Sequence, residues 1–171
     1  MGKPEQIQTL KANGHYSSAI KSGETIYVSG QFAVDPATGE RKFGTVQEET
    51  RQALQNIEMI LQDAGSDRNH ILKTTAYVCS MEDWAKVNEV YDEFFGDYRP
   101  SRTIVNAKEL HFGFKVEIEA IATVKWYPKG RCMRIARTFK SSLFDTKHPI
   151  ADPDVRLYVL LSIFSAFQLF A

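Results

Sequence analysis

An arginine and two glutamates are the residues of this 171-residue chain best suited to chemistry. Arg102 follows Pro100 at the start of a strand that looks buried, and a guanidinium in such a setting needs an anionic partner because an unpaired buried charge is costly. Its fork of N–H donors suits a carboxylate. About fifteen residues on, Glu117 and Glu119 share one face of an apolar strand. These residues indicate an anion site, but an internal Arg–Glu ion pair or a solvated pair of carboxylates fits the same pattern.

The other familiar constellations are missing from the sequence. No glycine-rich phosphate loop is present, and no His-x-Glu accompanies a Cys-x-x-Cys as a zinc deaminase would require. The four histidines lie at positions 15, 70, 111 and 148 without metal-ligand spacing. We therefore expect no metal and no cofactor.

A first helix is predicted to begin near Thr45. Thr45 and Glu48 have the spacing of a capping box, in which each side chain satisfies a backbone N–H of the other residue. Gly65 provides a suitable end. Between them an apolar stripe recurs at helical spacing, made of Ala53, Leu54, Ile57, Ile60, Leu61 and Ala64.

The remaining pattern predicts five strands and a second helix. Extended segments are expected near residues 17–20, 25–29, 71–79, 102–105 and 116–124, the last with strict alternation of buried and exposed positions. The second helix is predicted to carry Trp84, Val87, Tyr91 and Phe94 along one face, with Gly96 after it. The order β-β-α-β-α-β-β favours an α+β, two-layer domain with a mostly antiparallel sheet and both helices on one face.

The second face of this sheet keeps apolar character. By alternation it carries Tyr27, Tyr77 and Ile121. A partly apolar face is usually covered in the assembled protein, so a homo-oligomer is expected.

A set of short motifs runs through roughly residues 12–126: GHYSSAI (14–20), IYVSGQ (26–31), DPATG (35–39), QALQNI (52–57), KTTAYV (73–78), VNEVY (87–91), PSRT (100–103) and VEIEAIA (116–122). In these motifs, their order and their spacing, the sequence resembles the Rid family (reactive intermediate deaminases of the YjgF type).

The resemblance implies a chorismate-mutase-like α+β fold and a homotrimer with sites between subunits. It implies that Arg102 grips a substrate carboxylate and that Glu117 holds the catalytic water. Tyr16, Ser29 and Gly30 would line the site. The backbone at Ile104 and the side chain of Asn88 are further implied contacts.

Three departures from the family pattern stand near these positions. His15 replaces a common proline, and Ile104 stands where some members have cysteine. The segment LHFGF (110–114) replaces a Leu-Pro-type turn, which leaves the size of the substrate open.

The implied activity is hydrolysis of reactive 2-imino and enamine acids, such as those derived from 2-aminoacrylate and 2-aminocrotonate, to 2-ketoacids and ammonia. Without a metal or cofactor, Arg102 would position the substrate and Glu117 would activate water. The alternative is a trimeric protein of the same family that binds a small ligand without turnover.

Charge is distributed unevenly along the chain. Residues 1–127, the expected family domain, hold 14 Lys/Arg and 18 Asp/Glu, whereas residues 128–171 hold 7 and 3. An acidic domain is poorly suited to nucleic acid, so no nucleic-acid partner is expected.

Residues 128–171 are expected to be an extension outside the family domain, poorly ordered, ending in an uncharged run too short to span a bilayer. No membrane attachment is expected for the core domain, and the absence of a secretory signal favours the cytoplasm.

Overall fold

A computed structural model describes residues 3–10 and 14–125, which belong to a unit that spans Met1–Trp126. In chain order the elements are β1 (Glu5–Ile7), β2 (Ala19–Ser22), β3 (Thr25–Gln31), α1 (Val46–Asp63), β4 (Ile71–Val78), α2 (Trp84–Phe95), β5 (Ser101–Asn106) and β6 (Val116–Thr123). The predicted extension, residues 128–171, lies outside the described residues.

The strands form one six-stranded sheet in the order β1-β2-β3-β6-β4-β5. Only β4 and β5 are parallel, joined through α2, and every other neighbouring pair is antiparallel. The predicted α+β class and the mostly antiparallel sheet are therefore confirmed. The short strand β1 was not predicted, because EQI carries no β-sheet pattern and is held by pairing with β2.

The core lies between one face of the sheet and the helices. Alternate residues of β6 are buried, namely Val116, Ile118, Ala120 and Ala122, as the sequence predicted. They pack in one cluster with buried residues of both helices, among them Leu54, Ile57 and Leu61 of α1 and Val87 and Val90 of α2. Both helices thus cover the same face.

The ends of α1 follow the predicted signals. The Thr45 hydroxyl accepts from the Glu48 N–H at 3.2 Å, and the Glu48 carboxylate accepts from the Thr45 N–H at 2.7 Å. Gly65 follows the helix with φ 82°, a left-handed conformation that glycine adopts without strain.

The predicted apolar face of α2 is only partly buried. Val87 and Tyr91 are buried as expected, but Trp84 is 46% exposed and the other buried positions are Val90 and Phe95. Trp84 is the first residue of α2. Phe94 is half-buried, packed against the edge of the core and beneath the guanidinium of Arg68.

No helix among residues 3–10 and 14–125 is long and apolar enough to cross a membrane.

Candidate active site

A bulge in β3 brings Gly30 against Glu117. Val28 pairs with Ala120 and Gln31 pairs with Ile118, so Ser29 and Gly30 together stand opposite one residue of β6. Such bulges kink a strand and are frequent next to active sites. A Cβ at position 30 would overlap the Glu117 carboxylate and lie 3.2 Å from its Cγ. Only glycine at position 30 leaves room for the Glu117 carboxylate.

The Glu117 carboxylate is half-buried and has no ion-pair partner among the described residues. Burial raises its pKa above the ordinary value, the neighbouring Glu119 carboxylate raises it further, and His111 acts in the opposite direction. A carboxylate in this state binds protons more readily than a solvated one. Glu117 therefore has the character of a general base, unlike Glu119, which is exposed.

An ion pair between an exposed lysine and a buried glutamate fixes the entry to β6 two residues before Glu117. Glu49 on α1 is fully buried, and its carboxylate accepts from the Lys115 backbone N–H at 2.7 Å and from Lys115 Nζ at 3.2 Å. The same Nζ donates to the Gly44 carbonyl at 2.7 Å. This pair ties the helix to the strand that carries Glu117.

A cavity of about 260 Å³ lies at Gly30, the residue that adjoins the Glu117 carboxylate. Tyr16, 58% exposed, and Gly30 line it, as do Arg41, His111 and Phe112. Its volume is below the roughly 300–1,000 Å³ typical of pockets for drug-sized ligands, which suits a small metabolite.

Ser29 supports this region from the bulge. Its N–H donates to the Ser18 carbonyl at 3.0 Å, and its hydroxyl donates to the Ser17 carbonyl at 2.8 Å. These bonds join the bulge to the chain segment that leads from Tyr16 into β2. The structure thus places Tyr16 and Gly30 on one cavity and Glu117 against Gly30, while Ser29 ties the bulge to the segment before β2.

Arg102 lies elsewhere, in a cradle formed by α2. Its Nη2 donates to Asn88 Oδ1 at 2.9 Å, and its Cζ lies 4.6 Å from the centre of the Tyr91 ring and 5.9 Å from that of Trp84. Burial raises the pKa of Tyr91 to about 12, so this ring is neutral beneath the cation. The cradle opens on a cavity of about 450 Å³ that Arg102 and Asn88 line.

The strand of Arg102 is not buried as the sequence suggested. β5 is an edge strand that pairs only with β4, and Arg102 is half-buried while its neighbours Ser101 and Thr103 are exposed. An edge leaves part of the backbone without a sheet partner. Ile104 lies on this edge strand, with its side chain packed against the core.

Arg102 and Glu117 occupy opposite faces of the sheet. Arg102 pairs with Thr74, whose buried hydroxyl contacts Tyr91 on the helix side. Glu117 pairs with Tyr77 on the side that the helices do not cover. Two strand spacings and three residue rises separate them, about 14 Å between Cα atoms. The internal Arg–Glu ion pair that the sequence left open is therefore excluded.

Comparison with known proteins agrees with this architecture. A family model described as Endoribonuclease L-PSP matches residues 6–124. The chain belongs to this family, the Rid (YjgF-type) family. The word endoribonuclease is part of the family's description and assigns no activity to this chain. That the chain has no nucleic-acid partner stays a prediction.

Named Rid relatives cover the same part of the chain. The 2-iminobutanoate/2-iminopropanoate deaminase of Mus musculus is 44% identical over 119 residues, which are 68% of this chain and 88% of the mouse protein. A RutC family protein of Pyrococcus horikoshii is 46% identical over 112 residues, 66% of this chain and 89% of that protein. The structure of E. coli TdcF with bound serine has a TM-score of 0.64 at 34% identity, covering 72% of this chain and 98% of TdcF.

Several residues around this Rid site were not foreseen. Arg41 lies in a turn-rich segment, and nothing local in the sequence places it on the cavity that Gly30 lines. Glu49 could have been found, because a glutamate four residues before Ala53 falls in the apolar stripe of α1. Among the described residues no group of three or more His, Cys, Asp or Glu side chains could hold a metal ion.

Proposed function

We propose that the protein hydrolyses 2-imino acids, and their enamine tautomers, to 2-ketoacids and ammonia. Water adds its oxygen to the imine carbon to give a carbinolamine. The C–N bond then breaks, and the nitrogen leaves as ammonia with both hydrogens of the water. The reaction needs no oxidant or reductant.

The observation that carries the proposal is the unpaired, half-buried Glu117 carboxylate with its raised pKa, held behind Gly30 beside a small cavity. Such a group can orient a water and accept its proton as the oxygen attacks. Relatives that are 40–44% identical carry the name 2-iminobutanoate/2-iminopropanoate deaminase, which supports the same chemistry.

Arg102 supplies the carboxylate clamp in this proposal, but from a second copy of the chain. Because Arg102 and Glu117 of one chain point away from each other, one substrate can meet both only between two subunits. The face that carries Glu117 supports such an assembly: Tyr27 is 50% exposed there, and Val105 and Tyr77 lie side by side across β4 and β5. We propose a homotrimer with its sites between neighbouring subunits.

Ligand binding without turnover is the second candidate. The similar protein TdcF was determined with bound serine, an amino acid rather than an imine. If this chain shares that property, Arg102 would hold a carboxylate ligand that is never converted. Turnover separates the two candidates.

The test uses a serine/threonine dehydratase to generate 2-aminoacrylate or 2-aminocrotonate in situ while 2-ketoacid release is followed. The full chain should accelerate release, and Arg102→Ala should remove the acceleration while the far-ultraviolet circular dichroism stays unchanged. Arg51→Ala is the matched control, since Arg51 is a surface arginine paired with Glu93 on the helices. An Arg102→Ala protein that kept the full rate would contradict the clamp, and an inert wild type would favour the binding role.

A further inference from the structure

Arg41 is a cation on the wall of the cavity of about 260 Å³ that Gly30 also lines, and it has no carboxylate partner among the described residues. Its Cζ lies 3.6 Å from the centre of the Phe112 ring. The nearby acid Asp35 is already paired, since Lys42 Nζ contacts its carboxylate at 2.7 Å. Stacking removes water from one side of a guanidinium and leaves the N–H groups at its edge free to bind an anion.

The backbone on both sides of this stack is firmly held. Arg41 forms a β-bridge with Val34, and the buried Asn56 side chain donates to the Val34 carbonyl at 2.8 Å. Phe112 has φ 62°, the one positive φ at a non-glycine residue in the described part of the chain. Side chains avoid this conformation, and positions that keep it cluster where a ligand is gripped.

His111, on the same wall of the cavity, lies close to the proposed catalytic carboxylate of Glu117. The His111 ring lies 3.6 Å from the Phe112 ring, and His111 is close enough to Glu117 to lower its pKa. Arg41 therefore brings a permanent positive charge to this cavity, and Gly30, which also lines it, adjoins the Glu117 side chain.

We propose that Arg41 binds an acidic side chain of the substrate, so that the enzyme accepts 2-imino dicarboxylic acids, the imines of aspartate and glutamate. This inference rests on the proposed imine hydrolysis. The α-carboxylate binds Arg102 of the second subunit, the imine carbon faces the water on Glu117, and the side-chain carboxylate reaches Arg41. The products are a 2-oxo dicarboxylate and ammonia.

The experiment compares an acidic imine with a neutral one of similar length. D-aspartate oxidase generates the imine of D-glutamate, and D-amino-acid oxidase generates that of D-methionine; the imine carbon is planar, so the enantiomer of the precursor is immaterial. Catalase removes peroxide, and semicarbazide traps the imine that escapes hydrolysis. The measured quantity is the ratio of kcat/KM for the acidic imine to that for the neutral imine.

Arg41→Met keeps an unbranched side chain over Phe112 and removes the charge, and it should lower this ratio about tenfold. Arg41→Lys should retain part of the ratio, because a point charge replaces the fork. Lys42→Met is the matched control: it removes a charge one residue away that pairs with Asp35, and it should leave the ratio unchanged.

The outcomes separate this inference from the proposed function. Hydrolysis of the neutral imine without the acidic one overturns the role of Arg41 and leaves imine hydrolysis standing. An unchanged ratio in Arg41→Met also overturns it. Hydrolysis of neither of these imines, nor of those from the dehydratase reaction, overturns the proposed function itself.

Discussion

Gly30 and the Glu117 carboxylate occupy adjoining space that no side chain at position 30 could share. The atoms in the way are the far end of a flexible side chain, not backbone. A methyl group at position 30 would therefore move the carboxylate and leave the sheet in place. This relationship allows the position of Glu117 to be changed without changing Glu117 itself.

Gly30→Ala should lower kcat for imine hydrolysis on the order of 100-fold, the lower end of what a positioned general base contributes. Thermal unfolding should stay cooperative with a similar Tm. Gly23→Ala is the control, since Gly23 has φ 61° in the β2–β3 turn with no atom near its Cβ position. It should lower Tm and spare kcat. Normal turnover by Gly30→Ala would argue against Glu117 as the base.

Mixing two inactive variants should restore activity. Arg102→Ala and Glu117→Ala each spoil every site when assembled alone. If neighbouring subunits in a closed ring contribute one residue each, equal mixing with subunit exchange leaves about a quarter of the sites intact. The expected rate is about a quarter of the wild-type value. Mixtures that stay inactive after verified exchange would show that the two residues do not share a site across subunits.

Asn88→Ala should raise KM about tenfold with a smaller effect on kcat. The Asn88 amide oxygen orients the Arg102 guanidinium, and its loss lets the cation turn on the Tyr91 ring. Steady-state kinetics with the dehydratase-generated imine measures the change. Glu89→Ala, at the next and exposed position of α2, serves as the comparison. An unchanged KM would show that Arg102 keeps its orientation without Asn88.

Glu119→Gln should shift the acidic limb of the pH profile of kcat/KM to lower pH. The base is active when ionised, so the rate rises as pH passes the pKa of Glu117. Burial raises this pKa, and the Glu119 charge adds to the rise. Removing that charge lowers the pKa of Glu117, whereas His111→Gln should shift the limb to higher pH wherever the histidine is charged. A limb that neither variant moves would have to belong to another group.

Glu117→Gln should abolish turnover and yet raise Tm at pH 7. A carboxyl group whose pKa is higher in the folded state stabilises the fold only while protonated. That contribution is complete below the unfolded pKa, about 4.3, and is lost as pH rises through the higher folded value. The neutral amide avoids the loss, so the gain in Tm should disappear near pH 4. A Tm gain that is the same at pH 4 and pH 7 would contradict this origin.

The sequence predicts well those features that depend on local pattern. The capping box at Thr45, the glycine after α1 and the alternation along β6 each follow from a few neighbouring residues, and each is confirmed. The strand β1 could not be predicted, because its pairing with β2 rather than its own composition makes it a strand.

For the candidate site, too, the local features could be predicted from the sequence and the non-local ones could not. The residue types at Arg102 and Glu117 point to an anion site, but their opposite faces follow from the registers in which β5 and β6 pair with β4. Such non-local registers are not written in any single segment. The stacking of Arg41 on Phe112 could likewise not be predicted from the sequence, since it joins two loops about seventy residues apart.

The division of Arg102 and Glu117 between two faces also sets how rate should depend on protein concentration. Under the proposed mechanism, a folded but unassembled chain holds Arg102 and Glu117 where one substrate molecule cannot reach both. Activity per chain should therefore fall on dilution below the dissociation constant of the assembly, and the measured rate should become higher than first order in protein. Newly made chains would be inactive until they assemble, so the amount of protein as well as its folding would control this activity in the cell.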